Sequence, residues 1–96
     1  MAFKIGFEKR AIKDIDNALT YYHDINPKLA LKFNTQLQKK FKTLKNNPFF
    51  VITYAKYRSL PLKKFPFVIL FEVNEKDKLI SIFAVYNTNQ SPDKKP

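Results

Sequence analysis

Two segments near the C-terminal end limit what this chain can fold into. Residues 65–73, FPFVILFEV, and 79–86, LISIFAVY, each read as a β-strand, and Asn74-Glu75-Lys76-Asp77-Lys78 joins them as a hairpin loop. A strand with one wet face alternates apolar and polar residues. These two do not. Phe67, Ile69, Phe71 and Val73 share one face of the first strand, and Val68 and Leu70 share the other. On the second, Leu79, Ser81, Phe83 and Val85 alternate with Ile80, Ile82, Ala84 and Tyr86. Both faces of the hairpin are largely apolar, so both call for cover.

The rest of the chain supplies cover for one face. Phe3, Ile5 and Phe7 alternate with Lys4 and Gly6 as a short first strand. Ala11, Ile12, Ile15, Ala18, Leu19 and Tyr22 recur at helical spacing, which predicts a helix from about Glu8 to His23. Asn26-Pro27 is a helix start, with Asn capping and Pro at the first helical position. The second helix then buries Ala30, Phe33, Leu37, Phe41 and Leu44 and stops at Asn46-Asn47-Pro48. A gap of about three residues makes the two helices an antiparallel hairpin. Residues 49–56, FFVITYAK, fit either a loop packed on the sheet or a short strand. Tyr57-Arg58-Ser59-Leu60 reads as a strand that Pro61 confines to an edge or a break.

The predicted fold is therefore α+β, in the order β-α-α-β-β-β. A helical hairpin packs on one face of a small, mainly antiparallel sheet. Residues 1–90 form a single domain, and the polar, proline-bearing stretch 91–96 is expected to be a flexible tail. The second sheet face is the open question. Either residues 49–56 fold back over it, or a partner does, as a helix in a groove, an added strand or a second copy of the chain. Its expected partner-facing residues are Val68, Leu70, Ile80, Ile82 and Tyr86.

Charge narrows the partner. Against 8 acidic residues stand 18 basic ones, a net charge of +10 over 96 residues. That excess favours an acidic or nucleic-acid-rich partner over simple solubility. Lys28, Lys32, Lys39, Lys42 and Lys45 form one stripe on the second helix, opposite its apolar side. The stripe reads either as a solvated face or as an electrostatic contact surface. Arg58, Lys63 and Lys64 form a second basic group beside the sheet. Arg58 is one of only two arginines in a chain that otherwise uses lysine, which suggests a bidentate grip on carboxylate or phosphate, or a structural ion pair.

Most catalytic chemistry is hard to build here. There is no cysteine, so no disulfide and no thiol chemistry. His23 is the only histidine and sits beside Asp24, a surface or structural position with no metal cluster around it. No cofactor or metal motif is present. What remains is Lys or Arg stabilising charge on a phosphate, with Tyr57 or Tyr86 moving a proton. The chain has no 18-residue apolar run and no signal-peptide core, so a cytoplasmic location is expected.

The local patterns carry a family likeness. "AIKDIDNALTYY" on the first helix, "NPKLALKFNTQL" on the second, and "NNP" at its end recur in order. Then "YRSLPLKKFPFVILFEV" is followed by "ISIFAVYNT". Over about residues 3–92 the chain resembles the RelE/ParE superfamily of type II toxin–antitoxin toxins, often called plasmid stabilisation proteins. The likeness implies a small growth-inhibiting toxin wrapped by a cognate antitoxin, which would cover the apolar sheet face. RelE-like members cut mRNA on the ribosome; ParE-like members poison DNA gyrase. The arginine that RelE-like toxins carry on the third strand falls here on Val68, and their basic cluster after the last strand falls on Asn87-Thr88-Asn89-Gln90. The "KKFPF" segment resembles the ParE-like side.

The expectation is a ParE-like toxin with gyrase as its favoured target. It has no autonomous catalysis, and Arg58, Lys63 and Lys64 contact the target or the antitoxin. One alternative is a metal-independent, ribosome-dependent endoribonuclease using Arg58, Lys63, Lys64 and Tyr86. The other is an inactive relative serving as an interaction module.

Overall fold

A computed structural model describes residues 3–48, 52–54 and 57–88, the 52–54 segment by its backbone alone. The chain runs β1 (Lys4–Phe7), α1 (Lys9–Ile25), α2 (Pro27–Asn46), β2 (Ile52–Tyr54), β3 (Tyr57–Pro61), β4 (Phe67–Asn74) and β5 (Leu79–Asn87). The strands form one sheet in the order β1-β5-β4-β3-β2. All neighbours are antiparallel except β1, which lies parallel to β5. This is the expected α+β fold with one strand more: Ile52–Tyr54 extends the edge beyond β3. Residues 49–51, 55, 56 and the expected tail at 91–96 lie outside the described residues.

The turn between the helices is tighter than the expected three residues, because Asn26 alone serves both. Its backbone N–H donates to Tyr22 O at 2.9 Å, ending α1. Its side-chain oxygen accepts from Lys28 N at 2.9 Å, starting α2. Extended backbone at Asn26 and Pro27 at the first position of α2 make this possible. At the far end, Phe3 N donates to Lys45 O and ties the start of β1 to the end of α2.

The core lies between this hairpin and one sheet face. Phe33, Leu37, Phe41 and Leu44 from α2 meet Ile69, Phe71, Ile80, Ile82 and Val85 from the sheet, with Ala11, Ala18 and Tyr22 from α1. Phe33 is wholly buried among Tyr22, Phe65 and Phe67, with ring centroids 5.2 to 5.3 Å away. Burying one such ring contributes about 1.5–3 kcal/mol.

A bulge in β5 corrects the predicted faces. Ile82 pairs with Phe71 and Ala84 pairs with Leu70, so Phe83 is the extra residue. The bulge resets the alternation. Ile80 and Ile82, expected to face a partner, lie instead on the helix side with Val85, and neither is exposed at all. Ala84 and Tyr86, beyond the bulge, turn to the other face.

Candidate functional site

The sheet face away from the helices follows from the strand registers, and it is open: among the described residues no helix or strand lies over it. Tyr57, Ser59 and Pro61 of β3 stand beside Glu72, Leu70 and Val68 of β4, which stand beside Ser81, Ala84 and Tyr86 of β5. Leu70 and Ala84 are on this face but buried, and neither belongs to the helix-side core. Tyr57 and Phe83 explain this. They sit on strands either side of β4, yet their ring centroids are 4.8 Å apart, so the rings meet above the strand between them. Arg10, at the start of α1, extends the stack with its guanidinium 5.9 Å from the Phe83 ring. Of the five residues predicted to face a partner, Val68 and Tyr86 remain half-exposed and directly paired.

The basic residues are not gathered. Arg58 pairs with Phe71, and its register puts it on the helix-side face with Leu60. Lys63 and Lys64 lie past the other end of β3, where Leu62 N donates to Phe67 O. Phe71 and Phe67 are four residues apart on β4, so the two basic positions are separated by roughly 13 Å along the strand. The predicted Arg58–Lys63–Lys64 group is thus split between the two ends of β3. Between them, β3, β4 and β5 place no Lys, Arg or His of their own on the open face among the described residues, and the guanidinium over Phe83 reaches it from α1.

Lys63 and Lys64 do find a partner element. Gln36 on α2 reaches the loop, and its side-chain oxygen accepts from both Lys63 N and Lys64 N at 3.1 Å. The bond pins the loop to the helix. Thr88 closes the same end, donating through its N–H and its hydroxyl to Pro66 O. Tyr86 therefore stands at the end of the sheet that carries the lysine loop.

A second polar feature escaped sequence reasoning. β1 stops at Phe7, whereas β5 continues to Asn87, which leaves the last part of β5 without a strand on that side. α1 fills the place. Asp14 accepts from Val85 N at 3.1 Å, and Arg10 lies 3.8 Å from the same carboxylate. A shallow pocket of about 270 Å³ opens here, bordered by Arg10, Asp14, Asn17, Tyr21, Tyr86 and Asn87. His23 sits apart from both features, exposed in the last turn of α1. No group of three or more metal-ligating side chains occurs among the described residues. No described helix is long and apolar enough to cross a membrane.

Comparison with known proteins decides the family. Residues 5–92 match the ParE toxin of the type II toxin–antitoxin system parDE. The chain belongs to the ParE toxin family. Its fold agrees with solved relatives. A chain of the chromosomal ParDE toxin–antitoxin system from P. aeruginosa superposes with a TM-score of 0.77 at 24% identity, covering 92% of this chain and 98% of that one. A chain of the intact E. coli RelBE toxin–antitoxin complex gives 0.70 at 16% identity, covering 93% and 100%. One from the RelBE2 complex of Mycobacterium tuberculosis gives 0.59 at 14%, covering 91% and 99%. No match was found among curated proteins compared by sequence. The RelE/ParE likeness of the sequence motifs is thereby confirmed, on the ParE side.

Proposed function

We propose that this ParE-family chain acts in the cytoplasm as a toxin that binds DNA gyrase and stalls it, and that a cognate antitoxin holds it in check. The supporting observation is the open sheet face. Cleavage of RNA requires groups that move protons and stabilise charge on a phosphate. Where the ribonuclease relatives are expected to carry arginine, Val68 pairs with Tyr86, and the strand residues next to that pair on this face, Pro61, Leu70 and Ala84, are apolar. A surface of that composition suits protein contact better than phosphate chemistry. Val68 and Tyr86 are its half-exposed centre, and Lys63 and Lys64 border it at the loop end. Arg58, on the other face and at the other end of β3, makes a separate contact.

One observation favours the endoribonuclease reading. Tyr86 stands at the same end of the sheet as the lysine loop, the pairing of proton donor and cation that RNA cleavage would use. Induced expression in cells separates the readings. Double-strand DNA breaks and SOS induction are the expected outcome. Cleavage of translated mRNA with intact DNA would replace gyrase by the ribosome as target. Unimpaired growth with soluble, folded protein would identify an inactive interaction module.

A further inference from the structure

A second groove lies away from the sheet, between the outer side of α2 and the loop after β3. It encloses about 390 Å³, and its walls include Leu31, Lys32, Gln36, Lys39, Lys64 and Phe65. Three features make it more than a gap between side chains. Its rim carries three lysines from two separate elements and no acidic residue. Its floor is apolar: Phe65 packs its inner side on Tyr22 and Phe33, while Leu31 is 67% exposed, the most exposed of the large hydrophobic residues described. It is also preformed, because Gln36 holds the Lys63 and Lys64 amides at 3.1 Å and fixes the Lys64 backbone against α2. Two lysines of the stripe, legible in the sequence as either solvated or functional, thus join Lys64 of the loop around one apolar seat.

We infer that this groove receives an acidic segment of the cognate antitoxin, with one apolar side chain seated between Leu31 and Phe65 and flanking carboxylates on Lys32, Lys39 and Lys64. This rests on the toxin reading above and adds to it a contact site distinct from the open sheet face. Charge complementarity selects an anionic partner. The most exposed apolar group of the groove is the aliphatic Leu31, while Phe65 packs its inner side on Tyr22 and Phe33. An aliphatic contact favours a protein side chain over a nucleic-acid base, which stacks on aromatic faces. Placement of the lysines on a helix and a pinned loop means that binding must order their side chains but not their backbone.

Affinity measurement with the full chain and its purified antitoxin tests this. Lys39→Glu and Lys64→Glu should each weaken the complex about tenfold or more, because each sets a like charge against the incoming carboxylates. Leu31→Ser should weaken it at unchanged charge. Lys76→Glu is the control. It makes the same change in the β4–β5 turn, at the far end of the sheet, and should alter affinity less than about twofold at physiological salt. All four positions are exposed, and a thermal melt of each variant confirms folding. Equal losses in Lys76→Glu and the groove variants would reduce the effect to overall charge and overturn the inference. Unchanged antitoxin affinity together with lost binding of a single-stranded oligonucleotide would make the groove a nucleic-acid site and overturn it equally. Failure of the unaltered chain to bind the antitoxin would remove both the inference and the reading it rests on. Antitoxin binding that is indifferent to the groove variants would remove the inference alone.

Discussion

Replacing Asp14 by alanine should destabilise the fold through one hydrogen bond. Asp14 accepts from Val85 N at 3.1 Å, at the part of β5 where β1 no longer runs alongside. Val85 is only 2% exposed, so water cannot easily take over the freed N–H. A hydrogen bond to a charged acceptor is worth about 1.5–3 kcal/mol, and an orphaned buried donor costs a comparable amount. The Arg10 contact at 3.8 Å adds little, because Arg10 is 44% exposed and surface pairs contribute at most about 1 kcal/mol. The expected loss for Asp14→Ala is therefore about 2–3 kcal/mol. For a domain of this size, 2 kcal/mol lowers Tm by roughly 8–16 °C. Asp14→Asn keeps an oxygen acceptor and should lose about 1 kcal/mol. Urea titration gives the energies, and amide exchange read at Val85 reports the bond itself. An Asp14→Ala cost below about 0.5 kcal/mol, with the Val85 amide still protected, would refute the claim that α1 substitutes for the missing strand.

The bulge in β5 predicts opposite outcomes for two substitutions one sheet face apart. Ile80→Asp buries an unpaired carboxylate in the core and should cost more than about 3 kcal/mol in a urea titration, whereas Val68→Asp should stay within about 1 kcal/mol; similar costs at both would contradict the face assignment. Tyr22 predicts an alkaline limit. Burial, with Tyr21 beside it, holds its phenol above the ordinary value of 10.0. The unfolded chain then releases that proton first, so stability is intact below pH 10 and falls as pH rises through the folded value. Tyr22→Phe should remove this part of the decline in a thermal-melt series across alkaline pH; an unaltered slope would assign it to other groups.

Local patterns and long-range contacts differed sharply in legibility. Both helices followed from their apolar spacing, and Asn26-Pro27 announced the break between them because capping is a local transaction. The strands β1, β3, β4 and β5 were likewise visible as apolar runs between polar stretches. The bulge was not. Leu-Ile-Ser-Ile-Phe-Ala-Val-Tyr is apolar on both faces and shows no break in its pattern, and only pairing with β4 reveals that Phe83 is the extra residue. Strict alternation puts Ile80 and Ile82 on the face of Tyr86, and the bulge moves them to the helix side. Arg58 was grouped with Lys63 and Lys64 by nearness in sequence, but an extended strand carries them apart. The two polar links that shape the site surfaces join residues far apart in the chain. Asp14 lies 71 positions from Val85, and Gln36 lies 27 positions from Lys63. Asp14 and Gln36 both look like ordinary solvent-facing helix residues in the sequence. The excess of apolar strand surface was legible, and Val68 and Tyr86 do lie half-exposed on the face away from the helices.

The proposed action rests on a toxin that binds its target and performs no hydrolysis. Purified protein incubated with DNA gyrase, ATP and a closed circular plasmid tests this most directly. Supercoiling should be inhibited, and linear, gyrase-linked DNA should accumulate in proportion to added toxin and vanish when antitoxin is supplied. Undisturbed supercoiling at saturating protein, alongside codon-phased cutting of mRNA on translating ribosomes, would contradict the account.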